Sequence, residues 1–306
     1  METVTGRLAP SPSGEMHLGN AFAALLAWLG ARSAGGRVLL RLEDLDKPRC
    51  PAKYAYGVME DFKWLGLDWD NQPVWQSQRD QFYEKCLDAL NAQALVYPCY
   101  CSRRELHAVT EASAPHGLSP VYPGRCRDLT KAQRQELEAQ GRRPALRARV
   151  PGEVHAFTDG LQGPFASHLE REVGDFILKR SDGLYAYQLA VVADDGDMGV
   201  NQIVRGRDLL ASTPQQLWLQ DALGLPHPTY YHVPLLLAAD GRRLSKREGD
   251  LSLKALSREH SPQVLVGRLA YWAGLLAEER PITPQELLPH FSWDKVRPED
   301  VTVQLP

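Results

Sequence analysis

The chain has 306 residues, of which 43% are hydrophobic and 24% are charged, and its formal net charge is −3. These values are typical of a globular protein with room for a catalytic domain and a smaller second unit. The longest early apolar run, 21–29, is too short to span a membrane, and it does not follow a basic leader, which excludes a membrane-anchored class. Five cysteines, an odd number, exclude a simple disulfide framework and favour a reducing cytoplasm.

The chain opens with a short strand, a turn rich in proline and glycine, and an apolar helix. Pro10 and Pro12 push the residues before them away from helical angles, and Gly14 permits a turn. His17-Leu-Gly-Asn20 then begins a helix over 21–31, which the two glycines at 35–36 end. Such a helix start carries unpaired N–H groups and partial positive charge, which suit a phosphate. Taken alone, a plain turn before a core helix fits this stretch equally well.

A second apolar strand is predicted over 36–42, and strand, helix and strand together form a βαβ unit with a parallel sheet. Arg37 and Arg41 are expected at the margins of this strand, and Glu43 follows at its carboxyl end. Ligands gather at the carboxyl ends of strands in such sheets. Helices are predicted next from Pro51 to Leu65 and roughly over 78–94.

A different region begins at Tyr97-Pro-Cys-Tyr-Cys101. Two cysteines lie two residues apart, and Cys126 follows after 24 intervening residues, a spacing that fits half of a zinc site. A fourth ligand would have to be Tyr122, His116 or His107, and buried free thiols remain an equally good interpretation of the spacing alone. Residues 101–150 also carry ten Lys or Arg against five Asp or Glu, which suits contact with phosphates.

Short strands follow at 145–150, 154–158 and 176–179, separated by Gly, Pro and Asp, and we interpret them as an insertion between two halves of a nucleotide-binding fold. A strand and loop at 203–208 precede a helix from Ser212 to about Leu223, which Gly224 ends. A further helix is predicted after Ser261-Pro262.

The chemical signal becomes specific when the helix start is read together with Arg243-Leu-Ser-Lys-Arg247. The two stretches resemble the HIGH and KMSKS signatures of class I aminoacyl-tRNA synthetases, in the order and spacing of a catalytic domain. The resemblance covers about residues 7–275. It implies an α/β fold, a Rossmann-like doubly wound parallel sheet, with a zinc-bearing insertion and a short helical C-terminal part. Its members join a carboxylate to the α-phosphate of ATP with Mg²⁺, so electrostatic stabilisation of phosphoryl oxygens is the main catalytic task.

Within class I the chain is similar to the glutamyl group, whose opening motif holds the amino acid as well as ATP. The resemblance assigns catalysis to His17 and Lys246. For glutamate binding it implies that Arg7 and Arg205 pair with a substrate carboxylate. It implies that Ser11 and Tyr187 hydrogen-bond the substrate and that Glu43 holds its ammonium group. For ATP it implies His17, Gly19, Asn20, Leu244, Ser245 and Lys246. A structural ion pair is the alternative for Glu43 or Arg205 taken singly.

Departures from the glutamyl pattern narrow the resemblance. Only 59 residues follow Arg247, too few for a long helical anticodon-binding region, Val191 replaces an Asn, and Arg243 replaces a Lys. These features are similar to the truncated paralogue family, the glutamyl-queuosine tRNA(Asp) synthetases. That resemblance implies activation of glutamate without tRNA and its transfer to queuosine in the anticodon of tRNA(Asp). It also implies one Zn²⁺ bound by Cys99, Cys101, Tyr122 and Cys126.

The expected organisation has four parts. Residues 1–96 form the first half of the catalytic domain, 97–183 the zinc-bearing insertion, 184–250 the second half with the KMSKS-like loop, and 251–306 a short helical tail. The expected partners are ATP, L-glutamate and queuosine-containing tRNA(Asp), with no membrane. Two alternatives stay open: a minimal discriminating glutamyl-tRNA synthetase, and a non-catalytic paralogue that binds glutamate or tRNA.

Overall fold

The computed structural model describes residues 3–102, 104–106, 121–242, 244 and 252–303. His107 and His116, two of the possible zinc ligands, lie outside these residues, as do Arg243, Ser245 and Lys246 of the KMSKS-like loop. Within the described part of the chain, every helix is too short or too polar to cross a membrane.

The first half of the molecule is a parallel βαβ unit, as the sequence predicts. Strand β1 (Thr5–Leu8) leads into helix α1 (Leu18–Ser33), and β2 (Arg37–Leu42) returns beside β1 in parallel. Helix α2 (Ala52–Leu65) begins after Pro51, and the short strand β3 (Val74–Trp75) pairs in parallel with β2. Helix α3 (Asp80–Ala92) follows.

The middle of the chain is antiparallel. Strand β4 (Val96–Cys99) and helix α4 (Lys131–Ala139) precede β5 (Ala145–Ala148), which lies between β4 and the later β8 (Ile177–Lys179). Strands β6 (Val154–Asp159) and β7 (Gly163–His168) form a separate hairpin. Strand β7 is not predicted, because Gly163 and Pro164 at its start are strand-poor residues that suggest a longer turn.

The chain then completes the parallel sheet. Helix α5 (Tyr187–Asp197), strand β9 (Gln202–Gly206), helix α6 (Thr213–Leu223) and strand β10 (Thr229–Val233) follow in order, and β9 and β10 are parallel. Gly224 ends α6 in the left-handed region at φ 67°, as expected. Strand β9 lies beside β1, where the Asn201 backbone N–H donates to the Thr5 carbonyl at 3.1 Å.

The parallel sets β3–β2–β1 and β9–β10 lie side by side through β1 and β9, so the chain leaves β1 towards one side and later returns on the other. This arrangement opens a crevice outside the carboxyl ends of β1 and β9, the usual ligand position in a doubly wound sheet. The parallel α/β arrangement expected from the sequence is confirmed.

The last part of the chain covers one face of this core. Strand β11 (Leu236–Leu237) is followed by α7 (Leu253–Leu256), α8 (Pro262–Ala273), α9 (Pro284–Leu287) and β12 (Val301–Thr302). Helix α8 is the one predicted after Ser261, whereas β12 is not predicted and pairs in parallel with β11. The main core cluster packs around α1, and a second cluster joins α3, β5, α5 and α6. The four domain boundaries given above stay predictions.

Candidate active site

A cleft of about 510 Å³ lies at the carboxyl ends of β1 and β9. Its lining includes these predicted site residues: Arg7, Ser11, His17, Gly19, Asn20, Glu43, Tyr187, Arg205 and Leu244. Segments more than two hundred residues apart in sequence therefore meet in one place. The roles assigned to these residues stay predictions, and Ser245 and Lys246 lie outside the described residues.

The first turn of α1 forms one wall of the cleft. His17 is its N-cap in an extended conformation, and its carbonyl accepts the backbone N–H of Asn20 at 3.0 Å. The two prolines before it keep the incoming chain extended, so that the 16-residue helix begins at the cleft. Its positive dipole end therefore lies where an anion would enter.

Glu43 supplies negative charge to the same cleft. Its side chain is only 8% exposed, and its Oε1 accepts from Arg41 Nη2 at 3.2 Å while its Oε2 accepts from Ser11 Oγ at 3.3 Å. Burial raises the pKa of Glu43, and this outweighs the opposite effect of the guanidinium groups of Arg41 and Arg7. A buried carboxylate with further lone pairs available is a good acceptor for an ammonium group.

Arg41 corrects one expectation. The sequence suggests a residue at the strand margin, but the side chain is fully buried at 0% exposure. It lies among three carboxylates, with N–O distances of 2.6 Å to Asp195, 3.2 Å to Glu43 and 3.6 Å to Asp194. Burial lowers the pKa of Arg41, but these carboxylates more than compensate and raise it above its ordinary value. Two sequence features could have indicated that Arg41 is buried: it is an arginine inside an apolar strand, and a distant Asp-Asp pair follows an apolar helical segment.

Arg7 links the two halves of the sheet. It is 5% exposed, its Nη1 donates to the carbonyl of Val204 at 3.0 Å, and its Nε lies 3.4 Å from Asp195 Oδ1. Strand β1 is thereby fixed to β9 directly beneath the cleft.

Arg205 on β9 is also 5% exposed and is held on two sides. Its Nε donates to His232 Nε2 at 3.0 Å, and its Nη2 donates to Thr213 Oγ1 at 2.9 Å. Its Nη1 is buried and makes no hydrogen bond with any described residue. A buried guanidinium with such a donor beside a cleft suits a carboxylate ligand. His232 and Thr213 were missed by sequence reasoning.

Tyr187, the first residue of α5, lies between the charged groups. Burial raises the pKa of its hydroxyl and Glu43 adds to this effect, whereas Arg205 and Arg7 oppose it. The phenol is therefore neutral and available as a hydrogen-bond donor or acceptor.

A second cluster lies in the middle region, where the sulfur atoms of Cys99, Cys101 and Cys126 all lie within 4.8 Å of one another. The Sγ atoms of Cys101 and Cys126 are 3.6 Å apart. Tetrahedral zinc with Zn–S bonds of about 2.3 Å places its sulfur ligands about 3.8 Å apart. The three thiols therefore form a candidate metal site.

Tyr122 completes the same cluster. Its Oη lies 3.3 Å from Cys99 Sγ and 3.7 Å from Cys101 Sγ, and it accepts the Cys126 backbone N–H at 3.0 Å. The guanidinium of Arg147 lies over the Tyr122 ring at 3.8 Å from its centroid. One oxygen and three sulfur atoms thus lie close together, and they belong to the four residues that the sequence resemblance names.

Comparison with known proteins agrees with this architecture. Residues 3–283 match the family model described as tRNA synthetases class I (E and Q), catalytic domain. The chain is 51% identical over 292 residues to the glutamyl-Q tRNA(Asp) synthetase of Nitratidesulfovibrio vulgaris, covering 92% of this chain and 90% of that one. It is 48% identical over 310 residues to the protein of that name from Symbiobacterium thermophilum, covering 97% and 95%.

Two solved structures share the fold. Glutamate-tRNA synthetase from Elizabethkingia anophelis superposes with a TM-score of 0.86 at 24% identity, covering 99% of this chain and 68% of that one. A glutamate tRNA ligase from Elizabethkingia meningosepticum, solved in complex with its amino acid, gives 0.84 at 24% identity, covering 98% and 67%. The family model and the identity to the curated relatives together show that the chain belongs to the glutamyl-Q tRNA(Asp) synthetase family of class I aminoacyl-tRNA synthetases.

Proposed function

We propose that this enzyme activates glutamate with ATP in the absence of tRNA and transfers it to the queuosine base in the anticodon of tRNA(Asp). The names of the relatives support the reaction. The observation that carries the choice of amino acid is the charge pattern of the cleft, where two buried arginines face one buried carboxylate.

Glutamate is the amino acid with charges that match this pattern. Its two carboxylates need two cationic partners, for which Arg7 and Arg205 are available, and its ammonium needs an anionic partner such as Glu43. Ser11 and Tyr187 supply hydroxyls at the same cleft. A buried guanidinium left without a carboxylate is costly, so the site should reject neutral side chains.

ATP is proposed to bind at the start of α1. His17, Gly19 and Asn20 line the cleft there, and the helix dipole favours phosphate. Mg²⁺ would arrive with ATP and neutralise phosphate charge, while Lys246, assigned by resemblance and outside the described residues, would stabilise the departing pyrophosphate.

The proposed acceptor is the cyclopentenediol of queuosine, because its adjacent hydroxyls resemble those of a terminal ribose. The basic middle region would contact the RNA backbone. Several of its arginines are already paired within the protein, including Arg142 with Glu105 and Arg149 with Asp128. Arg125, Lys131 and Arg143 are exposed and are the better candidates for phosphate contacts.

Transfer is expected to depend on queuosine and not on the 3′ end of the tRNA. Labelled glutamate should appear on tRNA(Asp) containing queuosine, on the same tRNA without its terminal adenosine, and on an isolated queuosine-bearing anticodon stem-loop. The matched controls are the same RNAs with unmodified guanine, which lack the diol and should accept nothing.

Two other outcomes would replace this proposal. Charging of only the 3′ end of whole tRNA(Glu) would indicate a minimal glutamyl-tRNA synthetase. Binding of glutamate or tRNA without any ATP–pyrophosphate exchange would indicate a non-catalytic paralogue.

We also propose that the thiol cluster binds one Zn²⁺ through Cys99, Cys101, Tyr122 and Cys126. The donor atoms have spacings that fit tetrahedral zinc, as described above. Bound zinc would fix β4 against the loop that carries Tyr122 and Cys126. Because thiolates must stay reduced to bind the ion, the site suits the cytoplasm.

Metal analysis of protein purified without chelators is expected to find about one zinc per chain. Cys99→Ser should lose most of the metal because a hydroxyl is a weaker zinc ligand than a thiolate. Cys86→Ser is the matched control, since Cys86 is a half-buried free thiol on α3. Equal zinc content in the two variants, or none in the unaltered protein, would contradict the assignment.

A further inference from the structure

A chain of buried polar side chains runs behind Arg205. Arg205 Nε donates to His232 Nε2 at 3.0 Å, and His232 Nδ1 lies 2.6 Å from Asp159 Oδ2. His232 is 0% exposed and Asp159 is 2% exposed. Arg205 lines the cleft, whereas neither His232 nor Asp159 does.

The direction of each hydrogen bond follows from the donors available. A guanidinium can only donate, so His232 Nε2 must be the acceptor and its proton must be on Nδ1. That proton points to the Asp159 carboxylate, which is the orientation expected for a neutral imidazole. Thr213 Oγ1, which accepts from Arg205 Nη2, lies 3.2 Å from the same Nε2 and can donate to it.

Asp159 is itself fixed, because it ends β6 and occupies the tip of the β6–β7 hairpin. Its Oδ1 accepts the backbone N–H groups of Leu161 at 3.0 Å and Gln162 at 2.8 Å. The backbone N–H of Gly160 donates to the Tyr230 carbonyl at 2.8 Å. A Cβ at Gly160 would lie 2.3 Å from the Tyr231 ring, so only glycine permits this close contact with β10. The hairpin tip is therefore seated firmly on the strand that carries His232.

We propose that His232, held in its Nδ1–H form by Asp159, is a positioning residue that orients Arg205 for the glutamate carboxylate. This inference rests on the proposed function, in which Arg205 binds glutamate. The hydrogen-bonded series Arg205–His232–Asp159, called the relay below, fixes the plane of the guanidinium through Nε. It leaves Nη1 without a hydrogen bond to any described residue. A donor whose plane is set before the ligand arrives loses less entropy on binding, so the relay should lower KM for glutamate.

The arrangement also predicts a dependence on pH. The groups that face His232 are Asp159 from β6, Arg205 from β9, Arg7 from β1 and Thr213 from α6. The ring of Tyr230, also on β10, is stacked on the His232 ring, with the two ring centroids 5.9 Å apart. Burial lowers the pKa of His232, Arg205 and Arg7 add to this effect, and Asp159 opposes it. Protonation in acid would place an N–H opposite Arg205 Nε–H, so KM for glutamate should rise as the pH falls.

The test compares two substitutions in glutamate-dependent ATP–pyrophosphate exchange. His232→Gln keeps an amide group at the distance of Nε2, which can accept from Arg205. His232→Asn reaches only the position of Nδ1, so it can donate to Asp159 but cannot accept from Arg205. KM for glutamate is expected to rise roughly tenfold in His232→Asn, as for loss of a hydrogen bond to a charged group, and much less in His232→Gln. KM for ATP should change little in either variant.

The pH profile and a stability control separate positioning from folding. The acid rise in KM should be smaller in His232→Gln, since an amide does not titrate, and the part that remains is attributed to Glu43, because burial raises the pKa of Glu43. Trp28→Phe is the control, because it removes the hydrogen bond from Trp28 Nε1 to Asp68 Oδ1 at 2.7 Å, outside both the cleft lining and the relay, and it should lower the melting temperature but not alter KM for glutamate. Should His232→Asn fold poorly, Asp159→Asn interrupts the relay at its other end and should also raise KM.

The inference is overturned if His232→Asn and Asp159→Asn keep the KM of the unaltered enzyme, or if the acid rise in His232→Gln is as large as in the unaltered enzyme. An unaltered enzyme that shows no exchange with glutamate would instead refute the proposed function and remove the premise of the relay.

Discussion

Replacing Arg41 with methionine is expected to lower the free energy of unfolding by about 3–5 kcal/mol, the range found when one partner of a buried ion pair is removed. The substitution leaves Glu43 and Asp195 buried without their main cationic partner. Asp194 would be less affected, because Arg79 Nε also donates to it at 2.8 Å and Tyr83 Oη at 2.9 Å. Urea unfolding followed by circular dichroism measures the difference.

The matched control for Arg41 is Lys63→Met. Lys63 pairs with Glu60 at 3.0 Å on the exposed face of α2, and such surface pairs contribute about 0–1 kcal/mol. Adding Asp195→Asn to Arg41→Met should restore part of the lost stability, because it removes one unpaired buried charge. Equal midpoints for the Arg41 and Lys63 variants would show that the buried carboxylates are compensated by other groups.

Arg205→Gln is expected to reduce kcat/KM for glutamate in ATP–pyrophosphate exchange by about 100-fold or more, as for truncation of a buried charge pair. Glutamine retains hydrogen-bonding groups but loses the charge that the substrate carboxylate needs. Selectivity for glutamate over glutamine should fall in parallel, because a neutral side chain is rejected only where it would leave the buried guanidinium without a carboxylate. Both substrates are measured in the same assay.

Arg207→Gln is the control for this experiment. Arg207 lies two positions further along, its side chain is 42% exposed, and it pairs with Asp300 at 3.5 Å outside the cleft lining. It should keep the activity and selectivity of the unaltered enzyme. Unchanged selectivity in Arg205→Gln would remove Arg205 from the glutamate site.

The fold and the cleft could be predicted because their signals are local. Three local features of the sequence indicate parts of a parallel sheet: the prolines before α1, the apolar runs of β1 and β2, and Glu43 directly after β2. Parallel sheets collect ligands at one edge, so residues at strand ends such as Arg205 could be expected near Glu43. Their roles in binding, by contrast, came from resemblance to a family.

The supporting groups could not be predicted because their partners are remote and unmarked. His232 sits in an apolar strand, and its partner Asp159 lies 73 residues earlier in a hairpin of only partly apolar pattern. Arg41 was expected at the margin of its strand, because the two aspartates that enclose its side chain lie more than 150 residues away in the sequence. A charged side chain is buried where the fold brings oppositely charged residues next to it, and neither hydrophobic periodicity nor composition shows which residues these are. The thiol cluster was easier, since cysteine spacing is itself a local signal.

The adjacency of β1 and β9 has a consequence for biosynthesis. Arg7 reaches its backbone partner Val204 across 197 positions of sequence. At a translation rate of about 5–20 residues per second, roughly 10–40 seconds separate the emergence of the two walls of the cleft. During that interval the apolar surface of α1 that later faces β9 has no cover from it. During this period the nascent chain exposes apolar surface that chaperones can bind, and it can hold an amino acid only after β9 has been made.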